Sequence, residues 1–140
     1  MNCVKKIFWK ITGLTILTVL VDQLAKFVTE KNFPEIVSNN TGIAFGIDVG
    51  NIWTIVISNI ILIGIIIYAA KKELQIKNTL TQVFIAMVLG GGIGNLIDRI
   101  FRGSVTDFIS IWIYPSFNIA DICISVGILG IIIFFKKVKK

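Results

Sequence analysis

The run SFNIADICISVGILGIIIFFKK, residues 116–137, decides how the whole chain is read. It is apolar enough to sit in a lipid bilayer, yet Asp121 stands near its start. An acid carried to mid-membrane costs about 2.5–3.5 kcal/mol even on a lenient insertion scale. Counted from a helix start near Phe117, however, Asp121 lies only about 6 Å deep at a rise of about 1.5 Å per residue. At that depth two readings stand side by side: a carboxylate favoured by the positive end of the helix dipole, or an acid kept for chemistry. The stretch alone does not choose between them.

Three further segments share its character. Residues 49–70, VGNIWTIVISNIILIGIIIYAA, carry no charge and are long enough to cross a hydrocarbon core of about 30 Å. Residues 78–97, NTLTQVFIAMVLGGGIGNLI, are equally free of charge. The first apolar segment, 7–28, holds Lys10, Asp22 and Lys26 towards its ends. Its VLVDQLAKF offers no small-x-small cleavage site, so it is expected to be retained; the last segment is 117–135. Hydrophobic residues make up 55% of the 140 and charged residues 16%, against roughly a quarter charged in a soluble domain. Mean hydropathy is +0.86. The expected fold is an all-α membrane protein, one integral membrane domain over residues 1–140 built as a four-transmembrane-helix bundle.

A formal net charge of +6 raises nucleic acid as a partner. The positives gather at the ends of apolar runs, however, as membrane topology requires, so none is expected. Lys5, Lys6 and Lys10, then Lys71, Lys72 and Lys77, then Lys136, Lys137, Lys139 and Lys140 all fall on one side of a four-span path. Both termini are therefore predicted to be cytoplasmic. The exported segments are 29–48 and 98–116. NTGIAFGID (40–48) alternates Ile43, Phe45 and Ile47 with smaller residues, and SVTDFISIWIY (104–114) alternates similarly. Both read as short non-helical pieces, a small β-like element at the extracytoplasmic surface. Phe45 and Trp112 suit an anchor at the membrane surface.

The chain has no histidine, which excludes Ser-His-Asp and Cys-His catalysis and the common zinc-hydrolase ligands. Cys3 and Cys123 are isolated, so neither a disulfide framework nor a metal cluster is indicated. LGGGIGN (89–95) follows no strand and lacks dinucleotide-loop spacing; Gly90 and Gly94 read instead as a close helix contact. No cofactor or metal is expected. The polar residues near the exported side are few: Asp22, Asn40, Asn95, Asp98, Arg99, Asp107, Asn118 and Asp121. Asn118 with Asp121, and Asn95 with Arg99, have spacings that share a helix face. Asp22 with Lys26 reads as a local ion pair or anchoring cap, and Asp98 with Arg99 and Arg102 as a solvated face.

The segment between Asp107 and Asp121 is able to fold back and bring the two acids together. Paired carboxylates share a proton and titrate as a unit. One draws a proton from water while the other protonates the oxyanion and the departing amine. Two other functions stay open on the residues alone. A small proton-coupled transporter would use Asp22 and Asp121 as relay carboxylates, and a non-catalytic assembly subunit would need neither acid.

Four blocks in order resemble the bacterial lipoprotein signal peptidases, or signal peptidase II: DQLAK (22–26), NTGIAFG (40–46), GGIGNLIDRIFRGSVTDF (91–108) and FNIADICIS (117–125). The resemblance implies an intramembrane aspartic endopeptidase with Asp107 and Asp121 as its catalytic dyad. It implies that Asn40, Gly42, Asn95, Arg99 and Asn118 shape the site or hold substrate, and that Asp22 and Lys26 give structural support. Ala25 stands where many relatives have serine, and Ile43 where many have alanine. The implied substrate is a diacylglyceryl-modified prolipoprotein, cut before its modified cysteine. The implied setting is the bacterial cytoplasmic (inner) membrane, the enzyme a monomer among membrane lipids with its site facing the extracytoplasmic side.

Overall fold

The computed structural model describes residues 3–42, 53, 56–57, 60, 63–64 and 78–138. In chain order these form helix α1 (Cys3–Asn32), a 3-10 turn (Pro34–Ile36), strand β1 (Ser38–Asn40), helix α2 (Thr79–Arg102), strand β2 (Val105–Asp107) and helix α3 (Ile119–Val138). The expected span over 49–70 lies largely outside the described residues, of which Trp53, Val56, Ile57, Ile60, Ile63 and Gly64 are helical.

Each long helix outruns the apolar segment that announced it, because end groups rather than hydropathy set where a helix stops. At α2 the Asn78 side chain accepts from the Leu80 N–H at 2.9 Å, which satisfies one of the free donors of the first turn. Its far end is closed by Gly103 in the left-handed region, φ 75°, where a side chain would be strained. Charged Asp98, Arg99 and Arg102 therefore still belong to the helix.

α1 reverses the soluble pattern. Its buried residues are Thr15, Asp22 and Lys26, while Phe8, Trp9, Leu17, Leu20, Leu24 and Phe27 are exposed. A helix that hides its ions and shows its aliphatics is built for lipid. α1 and α2 are long and apolar enough to cross a membrane, at 30 and 24 residues. The apolar part of α3 is shorter.

Among the described residues, α2 is the central helix. Gly90 faces Thr18 and Gly94 faces Asp22, both on α1, whereas a Cβ at Gly91 would collide with the Ala120 carbonyl of α3. The glycine run thus lets α2 approach two neighbours at once, as small residues do between membrane helices. α1 and α2 run parallel: Lys10 Nζ donates to Thr79 Oγ1 at one end (3.4 Å), and Arg102 meets Glu30 at the other (2.9 Å). α3 returns antiparallel, with Gly127 against Val88 and Gly130 against Phe84.

β1 and β2 pair antiparallel in the register Ser38↔Asp107, Asn39↔Thr106, Asn40↔Val105. The second strand falls inside the alternating stretch 104–114. The first lies earlier than the alternation suggested, and residues 43–48 lie outside the described residues.

Candidate active site

α3 begins one residue after Asn118, and that residue caps it. The Asp121 N–H donates to Asn118 Oδ1 at 3.0 Å, while the Asn118 N–H donates to Asp121 Oδ2 at 3.1 Å. This reciprocal pairing is a capping box, with aspartate at the third helical position. The Ala120 N–H is taken by Asp22 Oδ1 of α1 at 2.9 Å. The shared helix face expected for Asn118 and Asp121 is thus corrected: Asn118 lies outside the helix and holds Asp121 from in front.

Asp107 reaches the same place by another route. Gly103 turns the chain out of α2, and β2 is buried along its length. Asp107 Oδ1 accepts from Asn118 Nδ2 at 2.7 Å, and its Oδ2 accepts from Asn40 Nδ2 at 3.1 Å. Asn40 is oriented in turn by its Oδ1, which accepts from the Gly42 N–H at 3.0 Å. Arg99 donates to the Gly42 carbonyl at 3.3 Å, and its Nε has no hydrogen-bond partner among the described residues. Burial pushes the Asp107 carboxyl up to about 6 from 3.8. The Asp121 charge adds to this, and the bonds from Asn40 and Asn118 and the charge of Lys26 oppose it.

Asn95 joins the two halves. Its Nδ2 donates to Asp121 Oδ1 at 2.8 Å, and its Oδ1 accepts from Asn118 Nδ2 at 3.1 Å and from Lys26 Nζ at 3.2 Å. Asp107 and Asp121 consequently both bond to Asn118. Among the residues singled out from sequence, Asn40, Asn95, Asn118 and both acids form one network, with Gly42 and Arg99 at its edge.

Two expectations about the supporting charges need correction. Asp98 does not belong to a solvated face: it is 0% exposed and its Oδ2 lies 2.7 Å from Lys26 Nζ. Asp22 and Lys26, also 2.7 Å apart, do more than a local pair, since they tie α1 to α2 and to the start of α3. A dry ion needs every available partner, so buried charges collect into clusters.

Gln23, Glu30 and Thr106 had no assigned role. Gln23 Nε2 donates to Asp98 Oδ1 at 3.1 Å. Thr106 bonds Glu30 through its hydroxyl at 2.7 Å and Asp98 through its N–H at 3.3 Å, which fixes the strand carrying Asp107. A signal for this existed: Asp22, Lys26 and Glu30 recur every fourth residue, one polar stripe on an otherwise apolar helix.

Two solved bacterial membrane enzymes, both determined by the in meso method, resemble this chain in fold. One superposes with a TM-score of 0.78 at 30% identity, covering 91% of this chain and 87% of its own. The other gives 0.75 at 30%, covering 88% and 90%. Fold and likeness define a mostly helical membrane enzyme.

The lipoprotein signal peptidase of Dehalococcoides mccartyi is 36% identical over 132 residues, 84% of this chain and 82% of that protein. That of Listeria monocytogenes is 33% identical over 138 residues, 86% and 89%. That of Halalkalibacterium halodurans is 45% identical over 97 residues, an alignment spanning 64% of this chain and 61% of that protein. The model of the signal peptidase II family matches residues 14–137, and the chain belongs to that family. Membership makes it a membrane protease that removes signal peptides from prolipoproteins, which sets aside the transporter and the assembly subunit.

Proposed function

We propose that Asp107 and Asp121 are the catalytic pair of an aspartic-type endopeptidase that cleaves before the diacylglyceryl-modified cysteine of a prolipoprotein. One observation carries this reading. A single residue, Asn118, donates to both acids, through its side chain to Asp107 at 2.7 Å and through its backbone to Asp121 at 3.1 Å. Two carboxylates gathered on one residue are placed to divide the roles of base and acid between them. The ionised one takes a proton from water as it attacks the scissile carbonyl, and the protonated one donates to the oxyanion and then to the amine. Asn40, Asn95 and Asn118 aim the acids, and Arg99, whose Nε is without a partner among the described residues, faces substrate beside Gly42.

The membrane path is read as four spans with both termini cytoplasmic. Parallel α1 and α2 support it, because the chain between Asn32 and Thr79 must travel back along the bundle, and 49–70 is the apolar segment able to do so. The lysine clusters support a site on the extracytoplasmic side of the bacterial inner membrane. The signal helix and lipid of the substrate already lie in the bilayer, so a monomer open to membrane lipids suffices.

The test is cleavage of a diacylglyceryl prolipoprotein by purified protein. Asp107→Asn and Asp121→Asn are each expected to lower kcat by about 10²–10⁴-fold, the usual worth of a general acid or base. Normal turnover by either folded variant would end the acid-pair reading.

A further inference from the structure

Lys26 is wholly buried, and each proton of its ammonium has an acceptor. Asp22 Oδ2 and Asp98 Oδ2 each lie 2.7 Å from Nζ, and Asn95 Oδ1 lies at 3.2 Å. Those acceptors are themselves pinned. The other Asp22 oxygen takes the Ala120 N–H at 2.9 Å, and the other Asp98 oxygen takes Gln23 Nε2 at 3.1 Å. The ammonium has no room to choose other partners, and it has nothing but donors to offer.

That one-sidedness matters for Asn95. The two ends of an amide are nearly the same shape, and only their partners decide which way the group faces. Asn95 must present its NH2 to Asp121. An ionised Asp121 enforces this by itself, being purely an acceptor. A protonated Asp121 does not, because it can then donate, and the acid-pair mechanism requires the acids to exchange protons in every turnover. The facing of Asn95 must therefore be set by something whose hydrogen-bonding character stays the same through the cycle.

We propose that Lys26 is a positioning residue of the reaction: it locks the Asn95 carbonyl towards itself, so that the Asn95 NH2 stays on Asp121 whatever the proton state of the acids. The lock reaches further than one bond. With Asn95 Oδ1 turned inward, Asn118 Nδ2 donates to it at 3.1 Å. The remaining Asn118 Nδ2 proton goes to Asp107 at 2.7 Å, and Asn118 Oδ1 receives the Asp121 N–H at 3.0 Å. One buried cation on α1 thereby fixes Asn95, while the Asp121 N–H fixes Asn118, and the two amides together hold the pair. The inference rests on the acid-pair reading of Asp107 and Asp121.

Lys26→Met alone would strand two buried carboxylates and risk the fold. The test therefore uses a background in which Asp22→Asn and Asp98→Asn leave no stranded charge. Position 26 is varied within it as Lys26→Met, which nearly matches the lysine in volume but offers no donor, and Lys26→Gln, which is one bond shorter but offers an N–H. Steady-state cleavage of a diacylglyceryl prolipoprotein is measured on protein shown to be folded by thermal unfolding.

The Lys26→Met form is expected to keep its KM, since residue 26 does not reach substrate, and to lose kcat on the order of 10²-fold, as misplaced catalytic groups do. The Lys26→Gln form is expected to recover most of that loss. Equal kcat in the two forms, or a change confined to KM, overturns the positioning role. Asp107→Asn in the otherwise natural chain is assayed alongside. If it cleaves normally, the acid pair fails and the lock with it; if it is inactive while the Met and Gln forms are equal, only the lock fails.

Discussion

Asp107 is an acid whose surroundings work against its charge. Its carboxyl sits at about 6, raised from 3.8 chiefly by burial, so folding favours the protonated form. The sign of the stability effect follows from this. The native state holds a proton that the unfolded chain has released between these values, so the contribution is complete below about pH 4 and fades as pH rises through about 6. Asp107→Asn does not titrate. Its stability relative to the natural protein should therefore grow from pH 4 to pH 8, by up to about 3 kcal/mol at 1.36 kcal/mol per tenfold change in proton affinity. Thermal unfolding in detergent across that range reads it directly. A gap that stays constant with pH would mean Asp107 is not held protonated by its surroundings.

At the scale of elements, the segment joining β2 to α3 has two distinct ends. Its base carries the proposed site: Asp107 and Asn118 bond side chain to side chain, and Ile109 and Phe117 exchange backbone bonds at 2.9 Å. Its tip is a turn closed by the Tyr114 N–H on the Ile111 carbonyl at 2.7 Å. There Trp112 is 100% and Ile113 85% exposed. No charge occurs between Asp107 and Asp121, and an uncharged, aromatic tip on a membrane enzyme suits the headgroup boundary. We expect the turn to rest there and set the depth of the acids. With Trp9→Phe and Trp53→Phe leaving Trp112 as the sole tryptophan, its emission in lipid vesicles should be blue-shifted and quenched by a shallow lipid-attached quencher. Water-like emission quenched by aqueous iodide would refute this. The other aromatic suggested for this role, Phe45, lies outside the described residues.

For the whole molecule, the proposed path predicts where each end can be reached. With Cys123→Ser, the remaining Cys3 should react with a membrane-impermeant thiol reagent only after intact cells are permeabilised. Glu35→Cys in a cysteine-free chain should react without permeabilisation, and Lys140→Cys should behave like Cys3. Labelling of residues 3 and 35 from the same side would break the topology.

Much of this organisation was open to reading along the chain. Apolar length and lysine placement depend only on local composition, so the helices on either side of the site, the membrane setting and a short acidic inventory could be read before any fold was known. With no histidine and few polar residues, the candidates for chemistry were narrowed to a handful, and spacing put Asn95 and Arg99 on one helix. What sequence could not supply was which polar groups meet. Asp98 read as solvated because flanking arginines usually mean water, whereas packing drives it onto Lys26. Asn118 read as a helical neighbour of Asp121, whereas it caps the helix and reaches back to β2. Hydrogen bonds and buried charges are settled by partners that lie many residues apart, and only the folded chain, where desolvation makes every unpaired group costly, selects among them.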